Sequence, residues 1–330
     1  MISVIIPTYR RECEVVRAVR SVLVQTYQDF EIIVGDDYGK DRTQELLEVF
    51  GDSRIRYFYN DGMGGSPSAN RNLCLERARG AYLTFLDSDD FMLPQRLELQ
   101  LEAIQRGGPK VEFSISGTRV IKVKGGVQYF DRDLIPSAEG DLSDAFFGRR
   151  LRCYNTSVML SRKAWLEVGS WDPQMEGCDD PEFLTRLVLN YHGATVSELC
   201  TVWFDHDGDS HSSVLDHRRK GITAYLNKYP ELWSTYPVWF RSRVEELLHV
   251  LFVAGEAKHF RCWLKRLTRR PSAGLRLMKW ISYVPGYAGT LKALYPVLSK
   301  YNKPTWLKAK AVSLDTLIPE DHLDAIKPIL

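Results

Sequence analysis

Four short apolar runs, with helical spacing between them, fill the first 90 residues of the chain. Ser3-Val4-Ile5-Ile6-Pro7, Phe30-Glu31-Ile32-Ile33-Val34, Ile55-Arg56-Tyr57-Phe58-Tyr59 and Tyr82-Leu83-Thr84-Phe85-Leu86 are rich in β-branched, aromatic and aliphatic residues. Their length and composition are those of buried strands. Val15, Val16, Val19, Val22 and Leu23 recur at helical spacing and predict a helix over about 12–25. Leu46, Leu47 and Phe50 place a second helix over 43–50. A third is expected over 68–79, stopped by Gly80, after a flexible loop with Gly62, Gly64, Gly65 and Pro67. This β-α-β-α-β-α-β order predicts an α/β protein, a Rossmann-like, mostly parallel sheet flanked by helices. Ligands of such sheets bind beyond the carboxyl ends of the strands. Loops 7–11, 35–39 and 86–90 share that edge.

The third of these loops carries the chemistry. Leu86-Asp87-Ser88-Asp89-Asp90 puts three carboxylates within four positions at a strand end. Such a cluster repels itself unless a cation neutralises it. Hard oxygen ligands suit Mg²⁺ or Mn²⁺, which commonly take few protein carboxylates and fill their other positions with phosphate oxygens. The plainer reading is a solvated turn, in which Ser88, Asp89 or Asp90 caps the next helix. After the first strand comes Pro7-Thr8-Tyr9-Arg10-Arg11. It has neither the G-x-G-x-x-G of a dinucleotide site nor a Walker loop. A diphosphate held at this edge therefore needs a metal.

Composition narrows the class. Aromatics make up 12% of the 330 residues and hydrophobic residues 44%, enough for a large core. The six cysteines contain no C-x-x-C pair, which argues against a zinc site or disulfide framework and fits a reducing, cytoplasmic compartment. No basic n-region precedes the first apolar run, and no apolar run reaches 18 residues, so neither a signal peptide nor a membrane span is expected. Asn155-Thr156-Ser157 then reads as a chance match to a glycosylation acceptor. The net charge of +2 is unevenly placed. Residues 258–310 hold 13 Lys or Arg and no acid, leaving 31 basic against 42 acidic residues elsewhere. That basic stretch, with Trp280, Tyr283, Tyr287, Tyr295 and Trp306, predicts contact with an anionic membrane surface. The plainer reading is a helical subdomain that packs on the body. Nucleic acid is not expected, since no reader motif accompanies the charge.

The motifs together resemble family 2 glycosyltransferases. The resemblance rests on Val4-Ile5-Ile6-Pro7-Thr8-Tyr9, Ser21-Val22-Leu23-Val24-Gln25-Thr26-Tyr27, Phe30 to Asp37, Ala69-Asn70-Arg71-Asn72 and Leu86 to Asp90. It resumes at Gly169-Ser170-Trp171-Asp172-Pro173 and Cys178-Asp179-Asp180-Pro181-Glu182. It implies an inverting enzyme with the GT-A fold; outside the resemblance, the helical spacing of Val244, Leu247, Leu248, Leu251 and Phe252, and of Phe260, Trp263, Leu264 and Leu267, predicts a C-terminal helical extension. The expected organisation is a nucleotide-sugar half at 1–105, an acceptor half at 106–215 and a basic helical region at 216–330. Pro7, Thr8 and Tyr9 would line the base pocket, with Arg11 and Ser88 among the donor contacts. Asp36 or Asp37 would bond the base, Arg71 would lie against the base or pyrophosphate, and Asp87 would approach the ribose. Asp89 would hold Mn²⁺ or Mg²⁺, joined by His206, with His211 as second choice. Asp179-Asp180 takes the place of the family's Glu-Asp pair, so Asp180 would be the general base. This chain departs from the family at Tyr38-Gly39, where members often have Gly-Ser, and at Pro181, where they often have an aromatic.

That chemistry needs a cation for the departing diphosphate and a carboxylate for the acceptor proton. Asp89 and Asp180 supply both. The plainer reading of Asp180 is an N-cap of the helix that Phe183, Leu184, Leu187 and Val188 predict. Trp171 and Trp203 serve either as an acceptor platform or as core, and Cys178 as small packing. The expected function is metal-dependent transfer from a nucleotide-diphosphate sugar, UDP-linked, to a glycan or lipid-linked saccharide at the inner face of the cell membrane. The rival readings are a non-catalytic protein that binds a nucleotide sugar or a partner, and a nucleotidyltransferase. The latter would want a glycine-rich basic loop after the first strand.

Overall fold

The computed structural model describes residues 1–61, 66–206 and 214–267, with positions 276, 278, 279, 282 and 283. The glycines at 62–65, the loop 207–213 with His211, and most of the basic segment beyond 267 lie outside the described residues.

The first half alternates as the sequence predicts. It runs β1 (Ile2–Thr8), α1 (Glu12–Leu23), β2 (Phe30–Asp36), α2 (Thr43–Glu48), β3 (Ile55–Tyr59), α3 (Pro67–Arg77) and β4 (Tyr82–Phe85). Then follow β5 (Phe91–Met92), α4 (Arg96–Arg106), β6 (Val111–Lys124), β7 (Val127–Leu134), α5 (Ser143–Phe147), β8 (Val158–Ser161) and α6 (Arg162–Val168). The second half closes with α7 (Asp179–Asn190), β9 (His192–His206), α8 (Leu215–Lys228), α9 (Leu232–Thr235), α10 (Pro237–Val253) and α11 (Ala257–Leu264).

Among the described residues the strands form one sheet in the order β3-β2-β1-β4-β8-β6-β9-β5, with β7 on β6. The first four are mutually parallel; β8 then joins β4 and β6 antiparallel. Strand β9 runs parallel to β6, and its end pairs with β5 just past the acidic loop. This pairing brings His206 to the same edge as Asp89.

Period-two alternation sends the sheet's side chains to two cores. Val4 and Ile6 pack with Val15, Val19, Val22, Leu97 and Leu101 under α1 and α4. Ile5, Ile33 and Phe85 face the other way, toward Leu75, Trp171 and Phe183. That second core continues without a break through Tyr225 and Val244 to Phe260, so no gap in packing marks residue 105 or residue 215. The apolar face of α11, Phe260, Trp263 and Leu264, is buried in it, with Leu267 packed alongside. Among the described residues this face belongs to the body, and only the basic side of α11 is left for any surface. No described helix is long and apolar enough to cross a membrane.

Buried charge also docks the C-terminal helices. Glu182 on α7 is wholly buried and accepts from Arg186 at 2.9 Å, Lys228 at 2.9 Å and Tyr229 at 2.7 Å. Gly80 does not end α3 in the way expected. The helix stops at Arg77, Ala78 turns extended, and Gly80 lies so close to β1 that a Cβ would fall 2.6 Å from the Ser3 nitrogen.

Gly221 on α8 meets the turn at 175–176 just as closely. A Cβ there would sit 2.0 Å from the carbonyl oxygen of Glu176. Helix propensity alone favours Ala over Gly by about 1 kcal/mol. Overpacking against fixed backbone costs about 1–3 kcal/mol or more. Gly221→Ala is therefore expected to lower the melting temperature. A rise in Tm would mean that α8 is not held against this turn.

Candidate active site

Asn70, Arg71 and Asn72 on α3 organise the edge where the three loops meet. Asn70 donates to the Gly35 carbonyl at 2.8 Å and fixes the end of β2. Asn72 makes two bonds to the backbone of Trp171, accepting from its N–H at 2.9 Å and donating to its carbonyl at 2.8 Å. Arg71, almost fully buried between them, reaches Asp87 at 2.9 Å, Asp180 at 3.4 Å and Asp179 at 3.5 Å. Burial works against its charge, but the three carboxylates outweigh that and hold its pKa above the usual range.

Arg71 therefore brings together two segments that are 93 positions apart in sequence, at Asp87 and Asp180. Asp180 is 30% exposed. Its Oδ1 accepts from the Trp171 indole at 3.1 Å as well as from Arg71. Burial pushes its pKa up to about 7; the Arg71 charge opposes this, and the neighbouring Asp179 and Asp87 add to it. Cys178, not Asp180, holds the N-cap position of α7, so the capping reading does not hold. Asp179 accepts from Ser68 at 2.6 Å. Trp171 is core, stacked on Phe183 at 3.8 Å and edge-on to Phe85 at 4.6 Å, and it is not an exposed platform. Trp203 stacks on Tyr154 at 4.3 Å. The buried Cys178 thiol is pushed up to about 12 by burial, which leaves it no nucleophile.

The acidic loop caps no helix either, because α4 begins only at Arg96. Its charge is met by basic groups from three elements. Arg11, at the entry to α1, pairs with the Asp89 carboxylate, and Arg17 donates to the Asp89 carbonyl while lying 4.6 Å over the Phe204 ring. His206 Nε2 stands 3.8 Å from Asp89 Oδ2. Arg11, expected among the donor contacts, is thus the counter-ion of Asp89. Asp90 is wholly buried and accepts from the Phe204 N–H at 3.0 Å, pinning the end of β9 to the loop. Ser88 is buried within the same loop.

At the β1 and β2 ends, Thr8 is buried and Tyr9 half exposed, beside Pro7 at the end of β1. Asp36 has both oxygens engaged, with Gly39 N–H at 2.8 Å and Tyr57 hydroxyl at 2.8 Å. It shapes the loop. Asp37 lies buried next to it, with its N–H on the Thr8 carbonyl at 2.9 Å. Tyr38 takes φ 64°, the left-handed conformation that glycine adopts freely. Its ring sits 5.8 Å from that of Tyr59.

The donor set fits a divalent cation. A carboxylate oxygen and an imidazole nitrogen face each other across two strand ends, a pairing that suits Mn²⁺ and, less well, Mg²⁺. Among the described residues no group of three or more His, Cys, Asp or Glu could hold a metal, so a substrate would have to complete the shell.

Comparison with known proteins bears on the family and the fold. Residues 3–165 match the family described as glycosyl transferase family 2. A GalNAc(5)-diNAcBac-PP-undecaprenol beta-1,3-glucosyltransferase of Campylobacter jejuni is 36% identical over 108 residues, 32% of this chain and 35% of the relative. The Escherichia coli UDP-Glc:alpha-D-GlcNAc-diphosphoundecaprenol beta-1,3-glucosyltransferase WfgD is 39% identical over 101 residues, 31% of this chain and 40% of WfgD. The chain spans well under two thirds of such relatives: 21% of an uncharacterized glycosyltransferase of Rickettsia felis and 41% of one of Haemophilus influenzae. Among solved structures, S. aureus TarS 1–349 in complex with UDP-GlcNAc superposes with a TM-score of 0.58 at 15% identity, covering 89% of this chain and 91% of TarS. The Pyrobaculum calidifontis mannosyltransferase PcManGT, in complex with GDP-Man and Mn²⁺, gives 0.51 at 13% identity, covering 93% of this chain and 87% of that one. The fold is that of the GT-A transferases.

Arg71→Met leaves Asp87, Asp179 and Asp180 without their shared cation. Breaking a buried pair costs about 3–5 kcal/mol, and the partial exposure of the acids places this one near about 3 kcal/mol at pH 8. Without Arg71 the Asp180 carboxyl holds its proton more tightly, so its protonation relieves the repulsion and the loss shrinks as the pH falls to 5. Urea unfolding at the two pH values measures this. A loss independent of pH would assign Arg71 to packing against Trp171 alone.

Proposed function

With residues 3–165 belonging to glycosyl transferase family 2, we propose that the chain transfers a sugar from a nucleotide-diphosphate donor, UDP-linked, to a hydroxyl of a lipid-linked saccharide, with inversion. One observation carries the reading: Arg71 holds the acidic loop at Asp87 and the raised carboxyl of Asp180 on one guanidinium. A donor-binding loop and a general base thereby share one cleft. The UDP-GlcNAc in TarS and the UDP-Glc in the name of WfgD support a UDP-sugar donor. The diphosphoundecaprenol-linked acceptors in the names of both bacterial glucosyltransferases support the acceptor class. Such acceptors support work at the cytoplasmic face of a membrane.

The roles follow from the geometry. Trp171 and Arg71 both occupy Asp180 Oδ1, and among the described residues no hydrogen bond goes to Oδ2. Oδ2 takes the proton of the acceptor hydroxyl as its oxygen attacks the anomeric carbon. Direct displacement by that oxygen inverts the centre. The Trp171 indole keeps the carboxylate aimed, and its core packing keeps water from that side. Asp89 and His206 would hold Mn²⁺ or Mg²⁺, which supplies charge to the departing diphosphate. Pro7, Thr8, Tyr9 and Asp37 receive the base, Asp87 and Ser88 the ribose side, and Arg11 turns its charge to the diphosphate.

Two outcomes are expected. Asp180→Asn and Asp89→Asn each reduce UDP release by about a thousandfold or more while leaving the melting temperature near that of the parent. Full activity in both would remove the assignment. Because Asp180 works deprotonated and its pKa is pushed up to about 7, kcat/KM should fall about tenfold per pH unit below neutrality. Arg71 on α3, Asp179 on the same helix, Asp87 in the acidic loop and the Trp171 indole are the groups that set this limb. A profile flat down to pH 5 would point to another base. Thermal shifts with UDP-, GDP- and dTDP-sugars, each with Mn²⁺ and with EDTA, identify the nucleotide: saturation at 100 times Kd adds about 2.7 kcal/mol.

A further inference from the structure

The loop between α5 and β8 carries Arg149-Arg150-Leu151-Arg152, and its three arginines are exposed. Elsewhere Arg54, Arg56, Arg71, Arg119, Arg186 and Arg218 each face a carboxylate. Among the described residues Arg149, Arg150 and Arg152 have none within salt-bridge distance. The loop is nonetheless well anchored. Arg150 and Leu151 donate their N–H groups to the Ala145 carbonyl at 2.9 Å, and Leu151 is buried. Phe147 stacks on Tyr236 at 4.3 Å and meets Trp239 edge-on at 5.7 Å, which fixes the end of α5 on the start of α10.

This anchoring crowds like charges. Arg149 takes φ 60°, a left-handed conformation that strains a non-glycine residue. Partial burial lowers its pKa, and Arg243 and Arg152 lower it further. The nearby Glu246 is already engaged by Arg218 at 2.6 Å and Arg243 at 2.9 Å. A strained backbone and unpaired neighbouring cations are destabilising as they stand, and a bound anion would relieve the repulsion. The loop leads directly toward the base: Cys153, the next residue, packs against the core, and its thiol feels the Asp180 charge. Tyr154 follows, stacked on Trp203.

We propose that Arg149 and Arg152, with Arg150 beside them, bind the diphosphate of a lipid-linked acceptor and so place its sugar hydroxyl at Asp180. This deepens the function proposed above and rests on it. The source of the phosphate is the acceptor's own diphosphate; phospholipid headgroups of the bilayer share that chemistry, and the test separates the two.

The full chain and an Arg149→Gln/Arg152→Gln variant are floated with phosphatidylcholine vesicles containing either a polyprenyl diphosphate or phosphatidylglycerol at equal charge. UDP and Mn²⁺ are held in excess throughout to fill the donor site. The variant is expected to lose about tenfold or more in affinity for the polyprenyl diphosphate vesicles and little for phosphatidylglycerol. Equal losses on both would make the loop a general anionic-surface contact and overturn the proposal, as would unchanged binding to the diphosphate. Turnover gives a second readout. The ratio of kcat/KM for a diphosphate-linked saccharide to that for the same saccharide on an uncharged alkyl chain should drop about tenfold in the variant. An unchanged ratio also counts against the loop. The thermal shift with UDP-sugar and Mn²⁺ reports separately on the donor site. Arginine-dependent vesicle binding without that shift would remove the donor reading and leave the phosphate site standing.

Discussion

A buried arginine surrounded by carboxylates governs this molecule. Arg71 cannot lose its charge, and almost none of it reaches water. Its surroundings must therefore supply acids, and the fold delivers them from two distant places: Asp87 at the end of β4 and Asp179-Asp180 at the start of α7. The neighbours of Arg71 on α3 serve the same arrangement. Asn70 fixes the helix to β2, and Asn72 grips the backbone of Trp171, which in turn donates to Asp180. One turn of helix thus sets the spacing between the sheet edge and Asp180.

The acidic loop obeys the same rule on its other side. Asp89 is met by Arg11, Arg17 and His206, and wholly buried Asp90 is tied to the backbone of β9. A loop with three acids in four positions would splay in isolation. Here it is held by cations and N–H groups from α1, α3 and β9, so its shape is set before any ligand arrives. Such preorganisation leaves little reordering for a binding step.

The sequence foretold the elements of the first 90 residues well because their information is local. Strand runs, helical spacing and the acidic loop are all written within windows of about a dozen residues. It also named Asp87, Asp89, Asp179, Asp180 and Arg71, which the fold brings to one edge. Three things escaped it, each for a physical reason. The ion pairs of Arg71 were not foreseen, because its partners lie 16 to 109 positions away and no periodicity encodes such a contact. Trp171 was weighed as platform or core and is core with a polar task, because its indole N–H must find an acceptor once buried. The pairing of β9 with β6, bulged near Gly117, decides that His206 meets Asp89. Strand order of that kind depends on the tertiary fold.

The C-terminal helices are then more than an appendage. The largest influence on Asp180 is burial, and burial there comes from Trp171 stacked on Phe183 within a core that runs on through Tyr225, Trp239 and Phe260. The buried Glu182, two residues beyond Asp180, is held from α8 by Lys228 and Tyr229. A looser contact between α7 and α8 would admit water beside the carboxyl and return its pKa toward that of an ordinary aspartate. The core behind Asp180 is therefore continuous with residues beyond 215, and a fragment ending with β9 would keep every carboxylate of the site while losing part of that core.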